Sequence, residues 1–238
     1  MNSRRKFLLQ GGMATTALIV AKPFQTIADT GIPLGGLTAN NNKITFLHTV
    51  NQAKLSADQL ANEINAFKSN SNVVLLDAAD AATDTRVKLQ YDASVSKNNA
   101  VSNTANNFKI IYKGNIKIGV ISATAADADV INQVNKLSAY LKKERKCHVV
   151  VCLSQLGYKN KNKVDDRILA EASTSLDLII GGDAKNHSTR PAVLLNKNNA
   201  EVVISHSAGK DLALSQVDIA FNKLGIKSNI AFNNVFQG

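Results

Sequence analysis

Short apolar runs recur along the chain, each bounded by polar or glycine positions. Val73-Val74-Leu75-Leu76-Asp77 is uninterrupted, the pattern of a strand in a sheet covered on both faces. Ile44-Thr45-Phe46-Leu47-His48, Val149-Val150-Val151-Cys152-Leu153 and Leu178-Ile179-Ile180 read as further strands. Between them the period changes. Ser56 and Gln59 form a capping-box pattern ahead of Leu60, Ala61, Ile64 and Phe67 at helical spacing. A second helix is predicted after Asp127 or Asp129, with Val130, Ile131, Val134, Leu137 and Leu141 on one face, and a short third through Val164, Ile168, Leu169 and Ala172. Phe108 to Lys113 and Ile116 to Ile121 flank Gly114-Asn115 as a hairpin. Residues 92–107 are rich in Asn and Ser and show no clear period. From Pro191 the pattern turns to strands alone: Val193-Leu194-Leu195, Val202-Val203-Ile204, Leu212 to Phe221, and Ile226 to Phe232.

The first residues follow none of these patterns. Ser3-Arg4-Arg5-Lys6-Phe7-Leu8 is a twin-arginine pattern, followed by a moderately apolar run from Phe7 to Val20 and then by Thr26-Ile27-Ala28, a passable cleavage site. Residues 1–28 therefore read as a removable export signal, 29–42 as a linker and 43–238 as one domain. The competing reading is a basic amphipathic start of a cytoplasmic protein. Export places the mature chain in the periplasm or outside the cell. Because no later segment is long and apolar enough to cross a bilayer, no membrane association is expected after cleavage.

Charge and cysteines narrow the picture little. Removing the four cations of the signal (Arg4, Arg5, Lys6 and Lys22) lowers the formal charge from +10 to +6. That favours anionic partners in a general way. The lysines are scattered and the chain has no Trp. No basic stripe with stacking residues is legible, so nucleic acid is not an expected partner. Cys147 and Cys152 lie along one extended segment, too far apart to bridge, and Cys152 reads as a small core residue.

The local sequences at the strand ends are more specific. Ile44-Thr45-Phe46-Leu47-His48-Thr49, Leu75-Leu76-Asp77-Ala78-Ala79-Asp80, Lys117-Ile118-Gly119-Val120-Ile121, Val150 to Tyr158, Leu176 to Gly182 and Val203 to Gly209 occur in an order and spacing that resembles the exported 5′-nucleotidase family of calcineurin-like metallophosphoesterases. The resemblance covers about residues 43 to 221. It implies an α/β fold, a four-layer αββα sandwich with mixed sheets and a C-terminal β meander, and an active site at the strand ends. In active members two divalent metals there activate a water and stabilise a phosphoryl transition state.

The positions that such a site requires are largely changed here. Asp-x-His becomes Asn51-Gln52-Ala53, Gly-Asp becomes Ala79-Asp80, the histidine after Leu-Ser becomes Gln155, and Gly-His-x-His becomes Gly182-Asp183-Ala184-Lys185. A Gly-Asn-His motif has no counterpart between Asp80 and Phe108. Only Asp80 keeps a ligand type. Lys185 sets an ammonium where an imidazole belongs, and a unit charge about 4 Å from a divalent ion is repelled by roughly 8 kcal/mol at an effective dielectric near 20. Two readings of Lys185 stand side by side, pairing with Asp80 and Asp183 in a vacated metal position, or an exposed loop lysine. No metal cofactor is expected. The weak alternative is one Zn or Mn held by Asp80, Asp183, His187 and His206. His48 reads as a core hydrogen-bonding residue. Ser154, Ser205 and Ser207 lie in no Gly-x-Ser-x-Gly setting.

The resemblance thus suggests a non-catalytic exported homologue acting as a binding or partner subunit. The chain ends where family members carry a nucleoside-gripping C-terminal domain. A separately encoded domain of that kind, or another envelope protein, is the expected partner. The competing function is a metal-dependent phosphoric monoester hydrolase acting on nucleotides or other phosphoesters.

Overall fold

The computed structural model describes residues 43–49, 62, 64–65, 67–68, 72–78, 90–95, 101, 107–124, 129–160, 163–183, 188, 190–206 and 214–234. All of them fall within the unit Asn40–Gly238. The expected signal, linker and first capping box lie outside these residues. Residues 62, 64, 65, 67 and 68 are helical, and Ile64 is buried, as the spacing predicts.

Two mixed sheets form the core. Sheet A runs β11(Lys227–Asn234)-β10(Leu214–Phe221)-β1(Lys43–Thr49)-β2(Val73–Asp77)-β3(Ala93–Ser94). Sheet B runs β4(Phe108–Lys113)-β5(Ile116–Ala123)-β6(Val149–Ser154)-β7(Leu178–Gly181)-β9(Glu201–His206)-β8(Ala192–Leu195). Strands β5, β6, β7 and β9 are parallel, with β4 and β8 antiparallel at the edges. Alternation along each strand sorts the side chains into two cores. Ile44, Phe46, Val74 and Leu76 of sheet A meet Ile118, Val120, Val149, Val151, Leu178, Ile180 and Val203 of sheet B in the inter-sheet core. The opposite face of sheet B, with Val150, Cys152, Ile179, Val202 and Ile204, packs under α1(Val130–Lys143) and α2(Asp166–Ala172). This double burial explains why the central strands read as continuous apolar runs.

Helix α1 buries Val130, Val134, Ser138 and Leu141 and places Lys142 and Lys143 in its last turn, where cations oppose the helix dipole. Helix α2 is capped by Asp165, whose carboxylate accepts from the backbone N–H of Ile168 at 2.9 Å and of Asn160 at 3.0 Å. The Asn- and Ser-rich stretch from 92, which has no clear period, opens on a short strand. Ala93 and Ser94 pair in parallel with Leu76 and Asp77, and the Asp92 carboxylate accepts from the Leu75 N–H at 2.8 Å. A two-residue strand fixed by backbone pairing and one side-chain bond leaves no periodic trace.

Candidate functional site

The parallel register of sheet B brings the last residues of its strands into one row. Ala123 pairs with Ser154, Ser154 with Gly181, and Gly181 with His206. All of these positions face the helix side, because Val150, Cys152, Ile179, Val202 and Ile204 of the same strands and faces lie in the helix-side core. Gly181 has no side chain, and the His206 imidazole lies over it. A Cβ built on Gly181 would stand 2.5 Å from both ring nitrogens. Glycine is required here by close approach rather than by backbone conformation.

Asp166 closes the row from above. The loop after β6 turns at Gly157, with φ of +82°, and the Gly157 carbonyl accepts from the Asp166 N–H at 2.9 Å. That bond sets the start of α2 beside the end of β6. The Ser154 hydroxyl donates a hydrogen bond to Asp166 Oδ1. His206 Nε2 stands 3.0 Å from Asp166 Oδ2 with both side chains fully buried. The two atoms lie off the line that a hydrogen bond needs. Among the described residues, Asp166 Oδ2 and both nitrogens of His206 have no hydrogen-bond partner. The Tyr158 ring meets His206 edge-on at 5.5 Å between centroids. Cys152 lies one position back along the same face of β6. Burial first, and the Asp166 charge second, raise its thiol well above the usual range, which keeps it protonated and unreactive.

The opposite face of the rim belongs to the inter-sheet layer. His48, at the end of β1, shares a hydrogen bond of 2.9 Å between its Nε2 and Ser205 Oγ, joining sheet A to sheet B. His48 is wholly buried, and its pKa falls to about 3, chiefly through burial and secondly through the charge of His206. It is therefore a neutral imidazole, the core role the sequence predicts. Ser215, opposite His48 on β10, is also buried, and its hydroxyl has no hydrogen-bond partner among the described residues.

The order of groups decides what the helix-side cluster can do chemically. A nucleophilic triad needs a histidine between the hydroxyl and the carboxylate, so that the imidazole takes the hydroxyl proton. Here Asp166 stands in the middle, and the serine donates to the carboxylate. Ser154 is fully buried and offers no face to a substrate. The cluster holds the strand ends together and does not activate a nucleophile.

Of the expected site positions, Gln155 follows β6 directly and Asp183 follows the Gly181-Gly182 turn after β7, both half-buried. Backbone bonds from Gln155 N to the Ala123 carbonyl at 2.9 Å and from Gly182 N to the Ser154 carbonyl at 2.8 Å carry the ladder past the strand ends and fix both segments. His206 lies in the row beside them. Asn51, Ala53, Asp80, Lys185 and His187 lie outside the described residues. Among the described residues no group of three or more His, Cys, Asp or Glu side chains is placed to hold a metal ion. Sequence reasoning missed Asp166. Its signal was the pair Asp165-Asp166 at a helix start, where one carboxylate suffices as a cap.

No protein-family model and no curated protein matches the sequence. Solved structures do match. The 5′-nucleotidase precursor from Thermus thermophilus superposes with a TM-score of 0.60 at 15% identity, over 82% of this chain and 54% of that one. The NAD nucleotidase NadN of Haemophilus influenzae gives 0.58 at 14% identity, over 82% and 50%. The sulfate thiohydrolase SoxB of Thermus thermophilus gives 0.53 at 14% identity, over 74% and 41%. This is the metallophosphoesterase fold. The chain spans about half the length of these relatives. Within the metallophosphoesterase fold, the row of Ser154, Gly181 and His206 occupies the carboxyl ends of parallel strands, the edge where open α/β sheets characteristically carry their ligands.

Proposed function

We propose that the protein is an exported, non-catalytic homologue of the 5′-nucleotidase-type phosphoesterases that serves as a binding or partner subunit. One observation carries this reading. At the edge where a phosphoesterase would present ligands to metal and substrate, five buried polar side chains contact one another. Ser154 bonds to Asp166, Asp166 abuts His206, and His48 bonds to Ser205, all of them buried. A two-metal hydrolase needs such groups to converge on an open position instead. The substitutions at Asn51, Ala53, Gln155, Asp183 and Lys185 point the same way.

Metal analysis and phosphatase assay of purified protein test the reading together. With Mn or Zn added and AMP or a general phosphomonoester as substrate, turnover is expected to stay at the level of an Asp80→Ala control. Stoichiometric bound metal with chelator-sensitive turnover abolished by Asp80→Ala overturns the proposal. Recovery from the native envelope in complex with another protein is expected.

A further inference from the structure

The three most exposed large apolar side chains among the described residues are Leu224 at 81%, Tyr112 at 64% and Ile226 at 59%. All three lie at the amino-terminal end of the parallel strands, opposite the row of Ser154, Gly181 and His206. Tyr112 pairs with Lys117 across the β4–β5 hairpin, and Leu224 and Ile226 form the β10–β11 turn. The two hairpins are neighbours. A Cβ on Gly225 would stand 2.7 Å from His148 Cδ2, and His148 Nδ1 accepts from the Lys117 N–H at 3.0 Å.

The turn is built to hold its apolar residues outward. Gly225 adopts φ of +74°, and the Asn222 side-chain oxygen accepts from the N–H groups of Leu224 at 2.9 Å and Ile226 at 3.0 Å. The backbone donors beside the two exposed side chains are thereby satisfied internally, which lowers the penalty for moving such a tip out of water.

Cations lie on the neighbouring segments. The Lys117 ammonium lies 5.5 Å from the Tyr112 ring centroid. The Arg145 guanidinium lies 5.9 Å from the Phe108 centroid, with Lys146 beside it in the chain. Lys223 flanks Leu224. Among the carboxylates at this end, Asp177 is held between Lys142 at 2.7 Å and Lys227 at 3.5 Å, while Glu144 and Glu201 are exposed.

We propose that this end of the sandwich docks on an anionic lipid bilayer. Leu224 and Ile226 enter the headgroup boundary, Tyr112 lies at its level, and Lys117, Arg145, Lys146 and Lys223 meet lipid phosphates. Aliphatic tips on a face that also carries cations and an amphipathic tyrosine suit that interface. They suit a nucleic acid poorly, because Leu224 and Ile226 cannot stack on bases and cations already lie against the Tyr112 and Phe108 rings. Among the described residues no helix is long and apolar enough to cross a membrane, so the contact is interfacial. This departs from the expectation, drawn from hydropathy alone, that the cleaved chain leaves the membrane. Hydropathy finds spanning segments, and this surface is assembled from two hairpins and a helix end.

The chain has no Trp, so Leu224→Trp reports on the turn without background. With vesicles of 7:3 phosphatidylcholine to phosphatidylglycerol, its emission is expected to shift to the blue, and with pure phosphatidylcholine it is not. Val193→Trp, on the far edge strand, is expected to stay unshifted with both. Because the reporter sits in the turn, attachment through the chain's amino-terminal residues does not mimic the signal. Lys117→Gln/Arg145→Gln/Lys146→Gln, made in the reporter protein, is expected to weaken vesicle binding roughly 100-fold, since each cation contributes about fivefold. Lys159→Gln/Lys163→Gln/Arg190→Gln, at the opposite end, is expected to leave binding within about twofold, the small effect expected of charges held beyond a Debye length from the surface. An unshifted Leu224→Trp spectrum, equal losses in the two triple variants, or tighter binding to single-stranded DNA than to the anionic vesicles overturns the proposal.

Discussion

His48 makes acid stability the sharpest test of the site. In the folded protein its imidazole titrates at about 3, against 6.5 in the unfolded chain. Between those values the unfolded chain binds a proton that the folded protein refuses. The folded state therefore holds its full advantage above pH 6.5 and loses it as pH falls toward 3. Integrated across the gap, this one group removes about 4–5 kcal/mol by pH 3, and about 2 kcal/mol between pH 7 and pH 5. His48→Gln keeps an amide that can bond to Ser205 and deletes the titration. Urea unfolding of both proteins at pH 7 and pH 5 reads the effect of His48 together with its coupling to His206, because the other titrating groups are common to the two. The variant starts less stable at pH 7, since the smaller side chain packs less well. Its loss on acidification should nonetheless be smaller than the wild-type loss by about 2 kcal/mol, roughly 1 M in urea midpoint difference. Equal losses in both proteins would refute the assignment of His48 as a buried neutral imidazole.

Three further perturbations probe the same edge and the fold around it. Gly181→Ala forces a methyl to within 2.5 Å of the His206 ring nitrogens, and should destabilise by about 1–3 kcal/mol in denaturant unfolding. Asp166→Ala strips the carboxylate from Ser154 and His206 and should destabilise by about 3 kcal/mol or more. A double-mutant cycle with His206→Ala should return a coupling of about 1 kcal/mol or more, and simple additivity would mean the 3.0 Å approach contributes nothing. Gly225→Ala meets both a positive φ and the His148 ring, and should lower the thermal midpoint by several degrees, roughly the shift that 1–2 kcal/mol produces in a domain this size.

The strands were legible because a sheet buried on both faces must be apolar at consecutive positions. Val149 to Leu153 and Leu178 to Ile180 could hardly be anything else. The β4–β5 hairpin was legible through Gly114, which adopts φ of +55° at the turn. The site was legible only in part. Local sequence marks where strands end, and so it located Gln155, Asp183 and His206. It does not report which polar side chains the register then brings side by side. Asp166 meets His206, forty positions further along the chain, because β6, β7 and β9 align their last residues in one row. The cations at the far end escaped notice for a similar reason. Lys117, Arg145 and Lys223 look scattered along the chain, and the fold brings their segments to one end.

Sheet A is stitched from the two extremes of the domain. Its first strand, Lys43–Thr49, lies between Val73–Asp77 and a partner that starts only at Leu214. During synthesis, sheet B can complete its hydrogen-bond ladder while β1 still waits with one bare edge. Synthesis past Leu214, rather than local zippering, therefore sets when this half can close, and a chain cut short before Leu214 would leave a sticky strand for chaperones or proteases to find.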